Sequence, residues 1–165
     1  MSVTIRIQRE AFDASAESAK LTRGRTDVGA VVTFTGCVRE EAGDDRIASL
    51  TLEHYPGMTE AELERVEAEA RARFALLDCL IVHRVGRLVP GDNIVLVVTT
   101  SAHRQAAFDA AEFLMDYLKT RAPFWKKEAD AAGGDRWVEA RETDDAAAAR
   151  WSTEPRQTVP KKAAP

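Results

Sequence analysis

The stretch NIVLVVTTSAHRQAAFDAAEFLMDYLKTR, residues 93–121, changes its period halfway along. NIVLVVTT (93–100) is apolar and β-branched, which reads as a strand. From Ser101 onward Ala107, Ala111, Leu114 and Leu118 recur at helical spacing, with Ser101 placed to cap the helix and Pro123 to end it. A strand that feeds a long amphipathic helix is the unit around which the remaining segments are arranged.

Upstream, CLIVHRVG (79–86) reads as a second strand, and LVPGD supplies a turn through Pro90 and Gly91, so the two strands are expected to form a hairpin. PGMTEAELERVEAEARARF precedes them. Its Thr59-x-x-Glu62 spacing suggests a capping box, and Leu63, Val66, Ala70, Phe74 and Leu77 form a helical stripe. VTIRI (3–7) alternates as a short strand, FDASAESAKL (12–21) is a weak helix, VGAVVTFTGCVRE is strand-like up to Gly36, and RIASLTLEHY (46–55) returns as another strand. Downstream, PFWKKEA and DRWVEAR flank Gly133 and Gly134 as a second hairpin, and TDDAAAARW is a short helix. Strands in hairpins combined with two long helices predict an α+β two-layer domain rather than a doubly wound parallel sheet. Residues 1–151 are expected to form a single domain, and 152–165, rich in Pro and Lys, a disordered tail.

Of the 165 residues, 45% are apolar and 30% charged, enough for one core and a polar surface. The formal net charge of -4 argues against a broad basic face for nucleic acid, so any anion site is expected to be local. The N-terminal residues contain no long apolar run, which excludes a signal peptide or membrane span there and makes cytoplasm the expected location. Cys37 and Cys79 are the only cysteines, in no CxxC pair, and are expected as free thiols.

Against the acidic total, YLKTRAPFWKKE (117–128) gathers Lys119, Arg121, Lys126 and Lys127. Either an anion docks here or the cluster is a solvated face. Lys119 sits near the end of the long helix, where a cation is favoured by the dipole alone, yet a lysine near an anion also holds substrate or moves protons. Alternation sends Lys126 and Lys127 to opposite faces of their strand. His103 and Arg104 open the same helix as Lys119, a suitable seat for phosphate or merely an exposed first turn. Arg39 lies in a polar loop, where a solvated arginine is the simpler account. The sequence offers no Walker or dinucleotide glycine motif, and its three histidines have no metal spacing. Cys37 is not the nucleophile of a Cys-x5-Arg pattern, because position 43 is Gly43. A straight helix from His103 to Lys119 would separate Arg104 from Lys119 by about 22 Å. One small substrate then cannot touch both in one chain, and a site shared across a symmetric dimer is the hypothesis that follows.

The strings GAVVTFTGCVRE, LTLEHYPGMTE, TSAHRQAAFDAAEFLMDYLKTRAPFWKKE and DRWVEARE closely resemble the large, catalytic subunit of molybdopterin synthase, the MoaE family, over about Asp27 to Trp151. The resemblance implies a two-layer α/β hammerhead with an additional antiparallel β subdomain. It implies sulfur transfer from the C-terminal Gly-Gly thiocarboxylate of a small ubiquitin-like, MoaD-like carrier to cyclic pyranopterin monophosphate, forming the dithiolene of molybdopterin. The implied assembly is a homodimer of large subunits within a heterotetramer, and the chemistry requires no metal or redox cofactor. By matched motif, Lys119 and Lys126 correspond to the family's catalytic lysines. Arg39, His103 and Arg104, with the loop at Cys37 and Val38, correspond to substrate-binding positions; no role falls to the Cys37 thiol. Lys127 and Glu128 complete the matched WKKE segment and, like Lys119 and Lys126, are also expected to bind substrate; Arg141, a further expected substrate-binding residue, corresponds to an arginine that reaches a neighbouring subunit's site, and Phe34 and Met115 to apolar pocket walls. A catalytically silent module that only docks a carboxylate tail is the main rival. A phosphate-ester hydrolase lacks a nucleophile or metal set.

Overall fold

The computed structural model describes residues 4–41, 46–138 and 142–152. In chain order the elements are β1 (Ile5–Gln8), α1 (Ala14–Thr22), β2 (Ala30–Cys37), β3 (Ile47–His54), α2 (Met58–Arg73), β4 (Leu76–Arg84), β5 (Gly86–Leu88), β6 (Asn93–Ser101), α3 (Arg104–Thr120), β7 (Phe124–Asp130), β8 (Asp135–Val138) and α4 (Glu142–Ala149). A 3-10 turn, Arg150–Ser152, follows α4. The mixed α+β class is as expected from the alternation of strand and helix signals. The proposed tail, which begins at Ser152, lies outside the described residues from 153 onward.

Two four-stranded sheets organise the chain, β1-β4-β6-β2 and β5-β3-β7-β8. In the first, β6 runs antiparallel to both neighbours, with Phe34 opposite Val97 and Ile81 also opposite Val97, while β1 lies parallel to β4. The unbroken apolar run of β6 has a direct cause. Val95 and Val97 join the core under α2 and α3, where Leu63, Val66, Phe113, Leu114 and Tyr117 are buried, whereas Leu96 and Val98 pack on the other face with Phe12, Leu21, Leu80 and Val82. A strand covered on both sides loses its polar alternation. The helix-on-sheet layer is therefore joined by a short extra layer, α1.

The second sheet is antiparallel throughout, and one of its faces holds a smaller core of Val38, Ile47, Leu50, Leu52 and Leu88. Ile94 packs against this cluster and against the main core, tying the sheets together.

Several local expectations are corrected. β4 and β6 do pair, but they are not joined by a simple turn. The chain bends at Gly86, whose φ of +90° suits glycine, and β5 crosses to the second sheet to pair with β3. The cap of α2 is not Thr59 with Glu62. Gly57 is the N-cap, and the Glu60 carboxylate accepts from its N–H at 2.7 Å. Thr59 is buried instead; its hydroxyl accepts from the Tyr55 N–H at 2.9 Å and donates to the Pro123 carbonyl at 3.0 Å, fastening α2 to the start of β7. Leu77 belongs to β4, because Phe74 turns extended and ends the helix. Ser101 ends β6 rather than capping α3, whose N-cap is His103; the Ser101 hydroxyl donates to the Ala75 carbonyl at 2.8 Å. Among the described residues, no helix is long and apolar enough to cross a membrane.

Candidate active site

The site is built on α3. Its seventeen residues are unbroken, and its inner face is held by Ala107, Ala110, Ala111, Phe113, Leu114, Tyr117 and Leu118. Arg104, Phe108, Met115 and Lys119 follow at spacings of four, seven and four, so they share one stripe beside that buried face. The helix begins where β6 ends, where the Thr99 hydroxyl donates to the Ala107 carbonyl at 2.7 Å, and runs back across the sheet. Its two ends are therefore far apart, about 22 Å between Arg104 and Lys119.

That separation sorts the candidate residues into two groups. His103 and Arg104 are exposed at the β6–α3 junction, beside the start of β2, where the Gly29 N–H donates to the Ser101 carbonyl at 3.0 Å. A side chain on Gly29 would meet the Ala102 carbonyl oxygen at 2.1 Å, so this junction needs glycine. Phe34, Cys37, Val38 and Arg39 follow along β2 toward its far end, where Cys37 pairs with Asn93. Phe34 lies on the helix-facing side of this edge strand, opposite Val97, and is 40% exposed. Met115 is half-buried against the main core. Phe34 and Met115 thus belong to the same layer boundary between sheet and helix.

The loop after β2 is firmly held. The Val38 N–H donates to the Asp92 carbonyl and the Gly91 N–H to the Val38 carbonyl, both at 2.8 Å, while the Val38 side chain is buried. Arg39 projects from that anchor with a mostly exposed side chain, its guanidinium 3.6 Å from the Glu41 carboxylate. Cys37 is exposed and Cys79 buried, both as free thiols. Burial pushes the Cys79 thiol up to about 12, so it stays protonated.

Lys119, in the last turn of α3, is about half exposed, and its ammonium lies 3.9 Å from the Asp144 carboxylate of α4. Lys126 sits on β7 opposite Leu52 on one side and Val138 on the other, on the inward face with Phe124. Lys127 takes the outward face, as alternation predicts. It pairs with Asp135 at 2.9 Å, which raises its proton affinity, and stands over the Trp137 ring. Glu128 pairs with Arg136 at 2.8 Å. Arg141 lies outside the described residues.

His83 joins β4 to the start of β7 in a way the sequence does not signal. Its ring stacks on Phe124 with centroids 3.8 Å apart and planes 15° from parallel, and its Nδ1–H donates to the Arg84 carbonyl at 2.8 Å. Burial, reinforced by the charges of Lys126 and His54, lowers its pKa to about 4, so it is a neutral platform. Buried and hydrogen-bonded, His83 is a satisfied core residue. No metal-ligand cluster of three His, Cys, Asp or Glu occurs among the described residues.

Comparison with known proteins adds an independent line. The family model described as "MoaE protein" matches residues 7–121. The molybdopterin synthase catalytic subunit of Mesorhizobium japonicum is 58% identical, over 93% of this chain and 96% of that protein. Its counterpart from Rhizobium meliloti is 59% identical, over 91% of this chain and 96% of its own length. Among solved structures, the molybdopterin biosynthesis MoaE protein from Burkholderia ambifaria superimposes with a TM-score of 0.77 at 54% identity, covering 93% of this chain and all (100%) of that one.

Proposed function

The chain belongs to the MoaE family, and we propose that it is the catalytic subunit of a molybdopterin synthase, moving sulfur from a carrier thiocarboxylate to cyclic pyranopterin monophosphate. The observation that carries this reading is that one chain presents a half-exposed lysine at the end of α3, an apolar boundary at Phe34 and Met115, and an exposed arginine on the anchored loop after β2. A carboxylate-ended tail and a phosphate-bearing substrate both need cations beside an apolar wall.

The thiocarboxylate sulfur bonds to a substrate carbon as a carbon–oxygen bond at that carbon breaks, the oxygen leaving with a proton; water then adds to the acyl carbon and cleaves the acyl–sulfur bond, leaving sulfur on the substrate and a free carboxylate on the carrier. We assign Lys119 to the tetrahedral oxyanion of that cleavage and to the accompanying proton transfer, where a nearby ammonium acts most strongly. Lys126 is assigned to the carrier tail or substrate, with Arg39, His103 and Arg104 fixing phosphate. Because α3 keeps Arg104 about 22 Å from Lys119, the phosphate seat is completed by a second copy of the chain, giving a homodimer with one MoaD-like carrier on each subunit. Arg141 is assigned to the neighbouring copy's site, and the backbone of Cys37 and Val38 to the substrate loop. Lys127 and Glu128, already paired on β7, are assigned to its local order. Residues 1–151 act as one unit in the cytoplasm.

The test is product formation by purified protein given cyclic pyranopterin monophosphate and thiocarboxylated carrier. Lys119→Ala is expected to lose at least about 100-fold in rate, the scale of a general acid–base contribution. Mixing Lys119→Ala with Arg104→Ala chains is expected to restore part of the activity. Carrier binding without product from the wild-type chain favours a docking module, and no recovery despite subunit exchange removes the shared site.

A further inference from the structure

The geometry points to Asp144 as a positioning residue for Lys119, an inference that rests on the catalytic assignment of that lysine. α4 is clamped onto α3 by the segment that follows it. Arg150 reaches Glu112 at 2.7 Å and Asp116 at 2.8 Å, and the Trp151 indole N–H donates to the same Asp116 carboxylate at 2.7 Å. Arg73, from α2, donates to the Trp151 carbonyl at 2.6 Å, and the Trp151 ring meets Phe74 and Phe113 edge-on at 5.8 and 5.5 Å. Two helices, α2 and α3, thus fix the end of α4.

With that end fixed, the direction of α4 determines what its first turn meets. Moving from Arg150 back to Asp144 travels about 9 Å along α4, at roughly 1.5 Å per residue, while the partners on α3 advance from Glu112 and Asp116 to Lys119. The helices are antiparallel, and the half-buried Asp144 carboxylate arrives 3.9 Å from the Lys119 ammonium. A lysine head on a four-carbon stem otherwise explores many rotamers. Its neighbour Asp145 is exposed on the same turn of α4, and the carboxylate that meets Lys119 is that of Asp144.

A carboxylate in the first turn of α4 also benefits from the helix dipole, but that applies equally to Asp145. The two roles separate kinetically. Aiming Lys119 affects turnover, whereas removing a negative charge beside an anion-binding lysine does not weaken binding of an anionic reactant. Asp144→Asn is therefore expected to lower kcat about five-fold, the upper end for an exposed ion pair, with no rise in KM for the thiocarboxylated carrier. Asp144→Glu is expected to recover most of the rate, Asp145→Asn to match wild type, and Asp144→Asn to cost nothing further in a Lys119→Ala background.

An Asp144→Asn enzyme as fast as wild type, or one that loses rate equally in the Lys119→Ala background, overturns the positioning role. If Lys119→Ala alone is nearly inactive in that same assay, the catalytic assignment of the lysine survives that result. A fully active Lys119→Ala enzyme overturns both.

Discussion

The two sheets of this molecule are built to opposite specifications. In the first, Leu80, Ile81 and Val82 on β4 and Leu96, Val97 and Val98 on β6 are buried in sequence, because helices cover both faces. In the second, Leu50, Leu52 and Leu88 are buried on one face, while the other presents Trp125 and Trp137, 45% and 58% exposed, with Lys127 between their strand positions. The first sheet is a platform that fixes where α3 begins and ends. The second is a thin layer that carries charged groups up to that helix. Precision comes from one, and chemistry is hung on its margin by the other.

The contrast is broken most directly by cutting into the platform. Phe113 is fully buried and packs edge-on against Phe74, Tyr117 and Trp151. Phe113→Ala is expected to cost about 3–5 kcal/mol, measured by urea unfolding, since both transfer energy and a cavity are involved. Because Trp151 anchors α4, the same change is expected to reduce activity in the remaining folded protein.

A somewhat smaller effect arises at the seam between the sheets. His83 on β4 stacks on Phe124 of β7, with Lys126, His54 and the His54 partner Glu60 as the charged groups around it. Its pKa falls from an ordinary 6.5 to about 4 in the folded chain. The unfolded chain thus takes up the proton first as pH falls, so the contribution is complete above about 6.5 and lost as pH drops toward 4. The shift corresponds to about 3 kcal/mol, at 1.36 kcal/mol per unit. In His83→Phe, which keeps an aromatic stack, the pH dependence of the urea midpoint over this window is expected to flatten relative to wild type. An unchanged slope would assign that dependence to other groups.

Much of this architecture was legible in sequence because it rests on local pattern. The run NIVLVVTT, the stripe of Ala107, Ala111, Leu114 and Leu118, and the Gly133–Gly134 turn each declare their element. The errors fall where a tertiary partner outbids a local one. Thr59 has the spacing of a cap, yet the Pro123 carbonyl, 64 positions away, takes its hydroxyl. β5 is too short to carry a period and exists because β3 offers an edge. For the candidate site, the proposed residues come from matched motif, and the distance between Arg104 and Lys119 followed from helix rise alone. The supports followed from neither. Nothing in CLIVHRVG pairs His83 with Phe124, and nothing in TDDAAAARW points to Lys119, because both contacts join elements distant in the chain.

The smallest effect is expected on the open face of the second sheet, and it sharpens the comparison by its size. Trp137 is a large aromatic residue, and on the central strands β4 and β6 of the first sheet large apolar side chains are part of the core. Here it is 58% exposed on the edge strand β8, and Lys127 stands over it, with its ammonium 5.8 Å from the ring centroid. A cation–π contact at an exposed site contributes about 0.5–1 kcal/mol, and Lys127 keeps its Asp135 partner when the ring is removed. Trp137→Ala should therefore shift the urea midpoint by no more than about 1 kcal/mol equivalent in the isolated chain. A loss as large as that of Phe113→Ala would mean that this face is covered in solution, and the unfolding midpoint would then rise with protein concentration in wild type but not in the variant.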